Sequence, residues 1–196
     1  KIRKKFGCRV AVGVIGSVEV YLDKDRTVLH RSRAAPHIEI ASDSDVNSEV
    51  LSSISEVLKQ CGFSILIGVS ENQVIWNKLV RLAAIATLTT YCQKDVGSIR
   101  SEARLRNLLE AIVQELCLIA KTQDVQLSVI EVMHQIDNLP GSLTTSLQRD
   151  VEAGKASEFD SILGESLRLG RLCGITMPAI EYCYSSILAR INFGSS

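Results

Sequence analysis

The hydrophobic residues of this chain change their spacing near residue 70, and this change constrains the fold more than any other feature of the sequence. Up to residue 70, Val and Ile occur in short runs with partial two-residue alternation, which is typical of β-strands. From residue 71 onward, apolar residues recur every three or four positions through long segments, as in amphipathic helices. The sequence therefore predicts a mixed α/β part at 1–70 and an all-α part at 71–196.

The first part is predicted to contain four strands, one helix and a turn. The longest strand pattern, at 9–22, contains Gly13 and Gly16 as positions for a bend or a bulge. A helix is predicted from its apolar spacing, and Gly62 ends it. The remaining predictions are strands at 27–30, 37–42 and 63–68, a turn at 23–26 and the helix at 47–62.

The second part is predicted to consist of helices alone. Ser157 is predicted to cap one helix, with Asp160 three residues later, and Gly174 to end it. Pro178 is predicted to open the last helix, because a proline at the first turn sacrifices no hydrogen bond. The other helices are predicted at 71–93, 101–123, 127–135 and 143–153.

Charge and cysteine usage argue against several classes of protein. The chain has 22 Lys and Arg against 22 Asp and Glu, so its net charge of zero predicts no general affinity for nucleic acid or for anionic membranes. No apolar run approaches the ~20 residues that span a bilayer. The 6 cysteines include no C-x-x-C pair, and the 3 histidines belong to no Cys/His cluster. These patterns predict reduced thiols, no metal site and a cytoplasmic protein.

Lys78 is the first candidate functional residue, because it lies in a mostly apolar helix pattern beside Trp76, Leu79 and Leu82. Burying an ammonium group is costly unless the group is paired. One interpretation is a lysine whose stem packs on the protein while its charged end reaches water. The other is a partly buried lysine that transfers a proton near neutral pH. The local pattern leaves both interpretations open.

The stretch SLQRDVEAGKASEFDSILGE at 146–165 is the second candidate, because it adds many polar groups to an apolar helical rhythm. Ser146 and Asp150 lie four residues apart, so they share one helix face and can point together into a cleft or into solvent. The sequence AGK predicts a short turn, which places Glu158 in the first turn of the next helix. There Glu158 either complements the helix dipole or contacts a ligand.

Motifs for several other chemistries are absent from the sequence. None of the 196 residues belongs to a G-x-G-x-x-G, a P-loop or a G-x-S-x-G motif, and GVIG at 13–16 lacks the spacing of a phosphate-binding loop. His134 lies among apolar residues of a predicted helix, which favours a structural role. The candidates that remain are therefore Lys78 and the polar stretch that follows residue 145.

Three ordered segments resemble the ketopantoate reductase family, the 2-dehydropantoate 2-reductases. GCRVAVGVIGSVEVYLDKDRTVLHRS is similar to the last part of the family's nucleotide-binding domain. VIWNKLVRLAAIATLTT is similar to the helix with a W-x-K-L sequence that opens the family's second domain. SLQRDVEAGKASEFDSILGESLRLGRLCGITMP is similar in spacing to the family's C-terminal signature. Together these segments extend the resemblance over nearly the whole chain.

The resemblance implies an α+β organisation. It identifies 1–70 as the remnant of a Rossmann-type NADP-binding domain. It identifies 71–196 as an all-α substrate-binding and dimerisation domain, similar to the C-terminal domain of 6-phosphogluconate dehydrogenase. Such enzymes reduce the 2-keto acid 2-dehydropantoate to pantoate with NADPH. The resemblance makes Lys78 the general acid, Glu158 a carboxylate that helps to hold substrate and lysine, and Ser146 a contact to the substrate carboxylate. It also implies a homodimer.

Several departures from the family change what the resemblance implies. The family's asparagines one and two turns after the lysine are Leu82 and Ala86 here, and its asparagine before the serine is Leu143. Because buried donors decide whether a site accepts polar substrates, these residues favour a less polar keto acid. They equally favour a catalytically silent relative whose helices form a dimerisation module. The glycine-rich half of the cofactor domain has no counterpart, so the chain alone is predicted to be inactive, and a segment is expected before Lys1.

Overall fold

The computed structural model describes residues 5, 7, 9–16, 18, 20–30, 36–43, 46–154 and 158–193 of the chain. The chain folds into two compact units, Lys1–Trp76 and Asn77–Ser196. The division falls inside the helix that begins at Glu71, so the domain boundary predicted after residue 70 stays a prediction. Each unit has its own architecture.

The first unit is built on a small mixed sheet. Its elements are β1 (Val12–Gly16), β2 (Val20–Leu22), β3 (Val28–His30), β4 (His37–Ala41), α1 (Ser48–Gln60) and β5 (Ser64–Ile67). The sheet has the order β1-β4-β5, with β1 antiparallel and β5 parallel to β4. Helix α1 makes the crossover between the two parallel strands and packs on β5. Strands β2 and β3 form a separate antiparallel pair.

The single strand predicted at 9–22 is wrong, because the structure has two strands there. The first of them, β1, ends at Gly16, which faces His37 of β4 in the antiparallel register. A Cβ atom at residue 16 would collide with the imidazole ring of His37 in its present orientation, so any larger residue would require that ring to move. The prediction of one continuous strand is therefore wrong, whereas a bulge or bend at Gly13 and Gly16 stays a prediction.

The second unit is helical throughout the ranges that the structure describes. Its elements are the remainder of α2 (Glu71–Cys92), α3 (Val96–Ser101), α4 (Ala103–Lys121), α5 (Val129–Asp137), α6 (Ser146–Glu152), a π-helical turn π1 (Asp160–Gly164), α7 (Glu165–Leu172) and α8 (Pro178–Phe193). Helix α4 is central and packs against α3, α5, α7 and α8. This arrangement confirms the predicted fold class, a small mixed α/β part followed by an all-α part. None of the helices in the described ranges is both long and apolar enough to cross a bilayer.

Helix α3 is absent from the sequence prediction, and local hydrogen bonds explain it. The Asp95 carboxylate accepts a hydrogen bond from the N–H of Ser98 at 2.8 Å, which caps the first turn. Glu102 has an extended backbone, with φ −95° and ψ 111°, and so separates α3 from α4. The helix predicted to begin at residue 101 consequently begins at Ala103.

Candidate active site

Helix α2 carries Lys78 and is buried along most of its length. In the second unit its buried apolar residues are Val80, Ala83, Ala84, Ile85, Ala86 and Leu88. Lys78 is half-buried, and Leu82, one turn later, is 39% exposed. Residues four apart share a helix face, so these two side chains form an accessible edge on an otherwise buried helix. This is the position in which a lysine can meet a ligand while its stem stays packed.

A buried apolar cluster joins α2 to the segments that carry the other two candidates. Its members come from α2, α6, π1, the residue before π1 and α8. They are Ala86, Leu147, Phe159, Leu163 and Ile187. Each is at most 5% exposed, so the cluster excludes water and fixes these elements on one another.

The cluster determines where the candidate residues lie. Leu147 directly follows Ser146, and Phe159 directly follows Glu158, so the chain at both positions is anchored in the cluster that also contains Ala86 of α2. Ala86 follows Lys78 by two turns, or about 12 Å along the helix axis. The three candidates therefore lie on elements that share one core. A direct approach of Lys78 to Glu158 stays a prediction.

A buried hydrogen bond fixes the start of α6 on α2. The hydroxyl oxygens of Thr89 and Thr145 are 2.9 Å apart, and both residues are buried. Thr145 also caps α6 by accepting from the N–H of Gln148 at 3.2 Å, which is why this helix begins at Ser146 rather than at residue 143. A bond of this kind contributes about 0.5–1.5 kcal/mol. Ser146 itself is exposed at the first position of the helix.

Glu158 is exposed and lies at a bend just before π1. Its backbone is held, because its carbonyl oxygen accepts a hydrogen bond from the N–H of Ile162 at 2.9 Å. Among the described residues, none donates a hydrogen bond to its carboxylate. The predicted cap Ser157 lies outside the described residues. Asp160, three residues after that predicted cap, pairs with Arg168 of α7.

The three positions at which the chain departs from the family differ in accessibility. Ala86 is only 2% exposed and belongs to the apolar cluster, so it contacts core residues. Leu143 is half-buried, and its carbonyl oxygen accepts the N–H of Val96 at 3.0 Å. Leu82 is the most accessible of the three. The apolar side chain of Leu82 therefore lies one turn from Lys78, at the position where the family that the sequence resembles has an asparagine.

Glu115 is a structural residue that the sequence prediction missed. Its carboxylate accepts hydrogen bonds from the backbone N–H groups of Ala179 at 2.7 Å and Ile180 at 3.0 Å. It thereby caps α8, which begins with Pro178. Glu115 is 7% exposed, and this burial raises its pKa above the ordinary value, against the opposing effect of the two N–H groups. The sequence feature that could have identified Glu115 is its position as a charged residue among the apolar residues on one face of α4.

The buried cysteines do not fit a nucleophilic role. Burial raises the pKa of Cys117 to about 11 and, as the largest cause, that of Cys183 to about 12. A thiol with such a pKa carries almost no thiolate at neutral pH. The five cysteines in the described part of the chain are free thiols. The polar groups on α2, α6 and the bend at Glu158 stay the candidates that the sequence predicts.

The described residues of the first unit do not fit the pyrophosphate of a dinucleotide. Helix α1 follows β4 in a β-α-β crossover, where such a ligand would meet a helix N-terminus. That N-terminus is capped by Asn47, whose side chain accepts from the N–H of Val50 at 3.0 Å. The preceding loop carries Asp43, whose carboxylate accepts the N–H of Glu71 at 2.9 Å. A carboxylate in this place repels phosphate, so no cofactor contact is assigned to these residues.

Comparisons with known proteins point to one family. The family model described as Ketopantoate reductase PanE/ApbA C terminal matches residues 71–190. The uncharacterized oxidoreductase YkpB of Bacillus subtilis is 20% identical over 185 residues, which are 93% of this chain and 61% of YkpB.

Solved structures share the fold. The dimeric ketopantoate reductase of Staphylococcus aureus matches with a TM-score of 0.75 and 19% identity, over 93% of this chain and 62% of that one. D-mandelate dehydrogenase in complex with NADH and anilino(oxo)acetate matches with a TM-score of 0.82 and 17% identity, over 95% and 61%. The chain thus spans less than two thirds of the length of each of these three proteins.

Proposed function

Because the chain belongs to the ketopantoate reductase family, we propose that it supplies the substrate-binding and proton-donating residues of a nicotinamide-dependent 2-keto acid reductase. The observation that supports this most is the buried cluster in which Leu147 and Phe159, the neighbours of Ser146 and Glu158, lie together with Ala86 of the helix that carries Lys78.

The proposed chemistry assigns one role to each candidate. As hydride adds to the carbonyl carbon, the keto oxygen gains negative charge, and the ammonium of Lys78 stabilises this charge and then donates the proton that completes the hydroxyl group. In this proposal the Glu158 carboxylate meets the substrate from the side opposite Lys78. The hydroxyl of Ser146 donates a hydrogen bond to the substrate carboxylate.

NADPH is the proposed source of hydride, as the family resemblance implies. D-mandelate dehydrogenase, which shares the fold, is bound to NADH in its structure. NADPH and NADH both carry the nicotinamide ring that delivers the hydride. Since the described residues of the first unit form no pyrophosphate site, this proposal concerns only what the chain's own residues do to the keto acid.

We propose a substrate less polar than 2-dehydropantoate. Leu82 presents an apolar, partly exposed side chain one turn from Lys78, and Ala86 cannot donate a hydrogen bond. A site whose positions 82 and 86 carry no hydrogen-bond donor gains little from a hydroxyl on the substrate side chain and favours a hydrocarbon group in its place. The ligand named for D-mandelate dehydrogenase, anilino(oxo)acetate, carries an anilino group, a phenyl ring on nitrogen, next to its oxoacetate. A 2-keto acid with a branched or aryl side chain fits these observations.

Replacing Leu82 by asparagine is expected to shift preference toward the hydroxylated substrate. The new amide can hydrogen-bond the hydroxyl of 2-dehydropantoate, and one such bond is worth roughly a tenfold change in relative kcat/KM. The measurement is kcat/KM for 2-dehydropantoate and for 3-methyl-2-oxobutanoate, which lacks the hydroxymethyl group. Leu118→Asn, at an exposed position of α4, is the matched control. An unchanged ratio in Leu82→Asn would show that this side chain does not contact the substrate.

The proposed function is tested with the native protein that contains this chain. Oxidation of NADPH and of NADH is followed with a panel of 2-keto acids that differ in side-chain polarity. We expect turnover with apolar side chains and weaker turnover with 2-dehydropantoate. The proposal would be contradicted if the protein neither reduced nor bound any 2-keto acid of the panel.

The second candidate function is a silent relative that serves as a dimerisation module. The apolar residues at positions 82 and 86 favour it, because they remove the family's substrate donors. The related S. aureus enzyme is described as dimeric, and we propose a homodimer of cytoplasmic location for this protein as well. Sedimentation of a dimer together with failure to bind keto acids would support this function over catalysis.

A further inference from the structure

The segment after Glu158 contains a π-helical turn, π1, rather than a regular α-helix. The N–H of Glu165 bonds back to the carbonyl oxygen of Asp160, five residues earlier. A π-turn inserts one residue, so the chain before it is rotated by roughly 100° relative to a regular helix. The direction in which Glu158 points therefore depends on how this turn is held.

Polar contacts of Asp160 hold the π-turn in place. Its carboxylate pairs with Arg168 at 3.0 Å and accepts the hydroxyl of Tyr184 at 3.1 Å. Gly164 makes this possible, because a Cβ atom there would collide with the Asp160 carboxylate. The hydrogen bond from Arg168 lowers the pKa of Asp160, so the carboxylate is ionised at neutral pH.

Tyr184 of α8 contacts both residues that follow Glu158. Its ring stacks on Phe159, with centroids 4.8 Å apart and planes at 11°. Its hydroxyl bonds to the carboxylate of Asp160. The carbonyl of Glu158 is held by Ile162 of the same turn. One side chain of α8 therefore anchors the start of the turn through an apolar and a polar contact at once.

We infer that Tyr184 is a positioning residue for the proposed keto acid site: by holding Phe159 and Asp160, it orients the Glu158 carboxylate toward the substrate. The inference rests on the proposed function, because it takes Glu158 as the carboxylate that meets the substrate. Tyr184 does not touch the substrate itself. Its effect on the reaction passes through the backbone of Glu158, whose carboxylate no described residue holds directly.

The first test uses Tyr184→Phe, which keeps the ring on Phe159 and removes the bond to Asp160. In the native protein that contains this chain, we expect KM for the keto acid to rise about tenfold with kcat much less affected. Glu158→Gln should raise KM as well, and adding Tyr184→Phe to it should have no further effect. Tyr182→Phe, which removes another tyrosine hydroxyl of α8, should leave KM unchanged. Equal losses from Tyr184→Phe in both backgrounds would overturn the inference.

A second readout does not depend on turnover. The amide hydrogen of Ile162, which bonds to Glu158, should exchange with solvent about tenfold faster in Tyr184→Phe, and at the wild-type rate in Tyr182→Phe. Unchanged exchange in Tyr184→Phe would overturn the positioning role while leaving the proposed function standing. A wild-type protein that binds and reduces no keto acid would contradict the proposed function, and with it any role of Tyr184 in orienting Glu158 for catalysis.

Discussion

Replacing Lys78 by methionine should lower kcat for 2-keto acid reduction by about 10²- to 10⁴-fold, the usual contribution of a positioned general acid. Methionine retains a flexible stem that packs on α2, so the loss isolates the ammonium group. Two effects vanish together: the proton for the new hydroxyl, and the positive charge that stabilises the developing oxyanion. KM should change much less, because the keto acid keeps its other contacts.

The control for this prediction is Lys121→Met, at an exposed lysine in the last turn of α4. It removes the same charge from the same unit and should leave kcat within about twofold, since a surface charge contributes little to chemistry at a distance. Steady-state oxidation of NADPH at saturating keto acid measures both variants. Equal rates for wild type and Lys78→Met would remove Lys78 from the mechanism.

Replacing Glu115 by alanine should destabilise the protein by about 2–4 kcal/mol. The change leaves the backbone N–H groups of Ala179 and Ile180 buried without acceptors, and each such group costs about 1–3 kcal/mol. It also leaves a small cavity where the side chain crossed from α4 to α8. Urea denaturation followed by circular dichroism measures the difference. Glu110→Ala, at an exposed position of α4, should change stability by less than about 0.5 kcal/mol.

The stability contribution of Glu115 should also depend on pH. Burial raises its pKa in the folded state above that of an unfolded glutamate. Below the unfolded pKa both states are protonated, and the contribution of the carboxyl is complete. As pH rises, the unfolded chain loses its proton first, so the free energy of unfolding falls until pH has passed the raised pKa of the folded state. Glu115→Ala should lack this fall. If the free energy of unfolding depended on pH in the same way in the wild type and in Glu115→Ala, the raised pKa of Glu115 would be contradicted.

The sequence predicts the helices and strands well where apolar spacing alone forms them. Helix α2 is an example: its apolar residues and the first turn at Glu71 place it within one residue of the predicted range. Helix α3 was missed because six residues carry too little periodicity to be recognised, and its start depends on one cap at Asp95. The strand predicted at 9–22 is too long because the local sequence pattern does not show where the neighbouring strand of the sheet ends.

The candidate site was predictable only in part, because its geometry depends on contacts between distant residues. The sequence, together with the resemblance, singles out Lys78, Ser146 and Glu158. It does not reveal the bond from Thr89 to Thr145, 56 positions apart, which fixes α6 on α2. Such partners are adjacent only in the fold, and no local rule of spacing identifies them.

The π-turn escaped prediction for a related reason. The residues at 157–160 have the pattern of an ordinary helix cap. In that pattern the partner expected for the side chain of Asp160 is local, at the cap residue Ser157. The structure shows that Asp160 bonds to Arg168 and Tyr184, eight and 24 residues away. A polar side chain that can satisfy either a local cap or a distant partner is not assigned by local rules alone.

The central claim is that Lys78 and Glu158 act on one substrate from opposite sides. A double-mutant cycle of Lys78→Met, Glu158→Gln and the double variant, measured as kcat/KM for a 2-keto acid, tests it most directly. The account predicts that the double variant is less impaired than the product of the single losses, by about 1–3 kcal/mol of coupling. Strictly multiplicative losses, with no coupling beyond about 0.3 kcal/mol, would show that the two side chains act independently and would contradict the account.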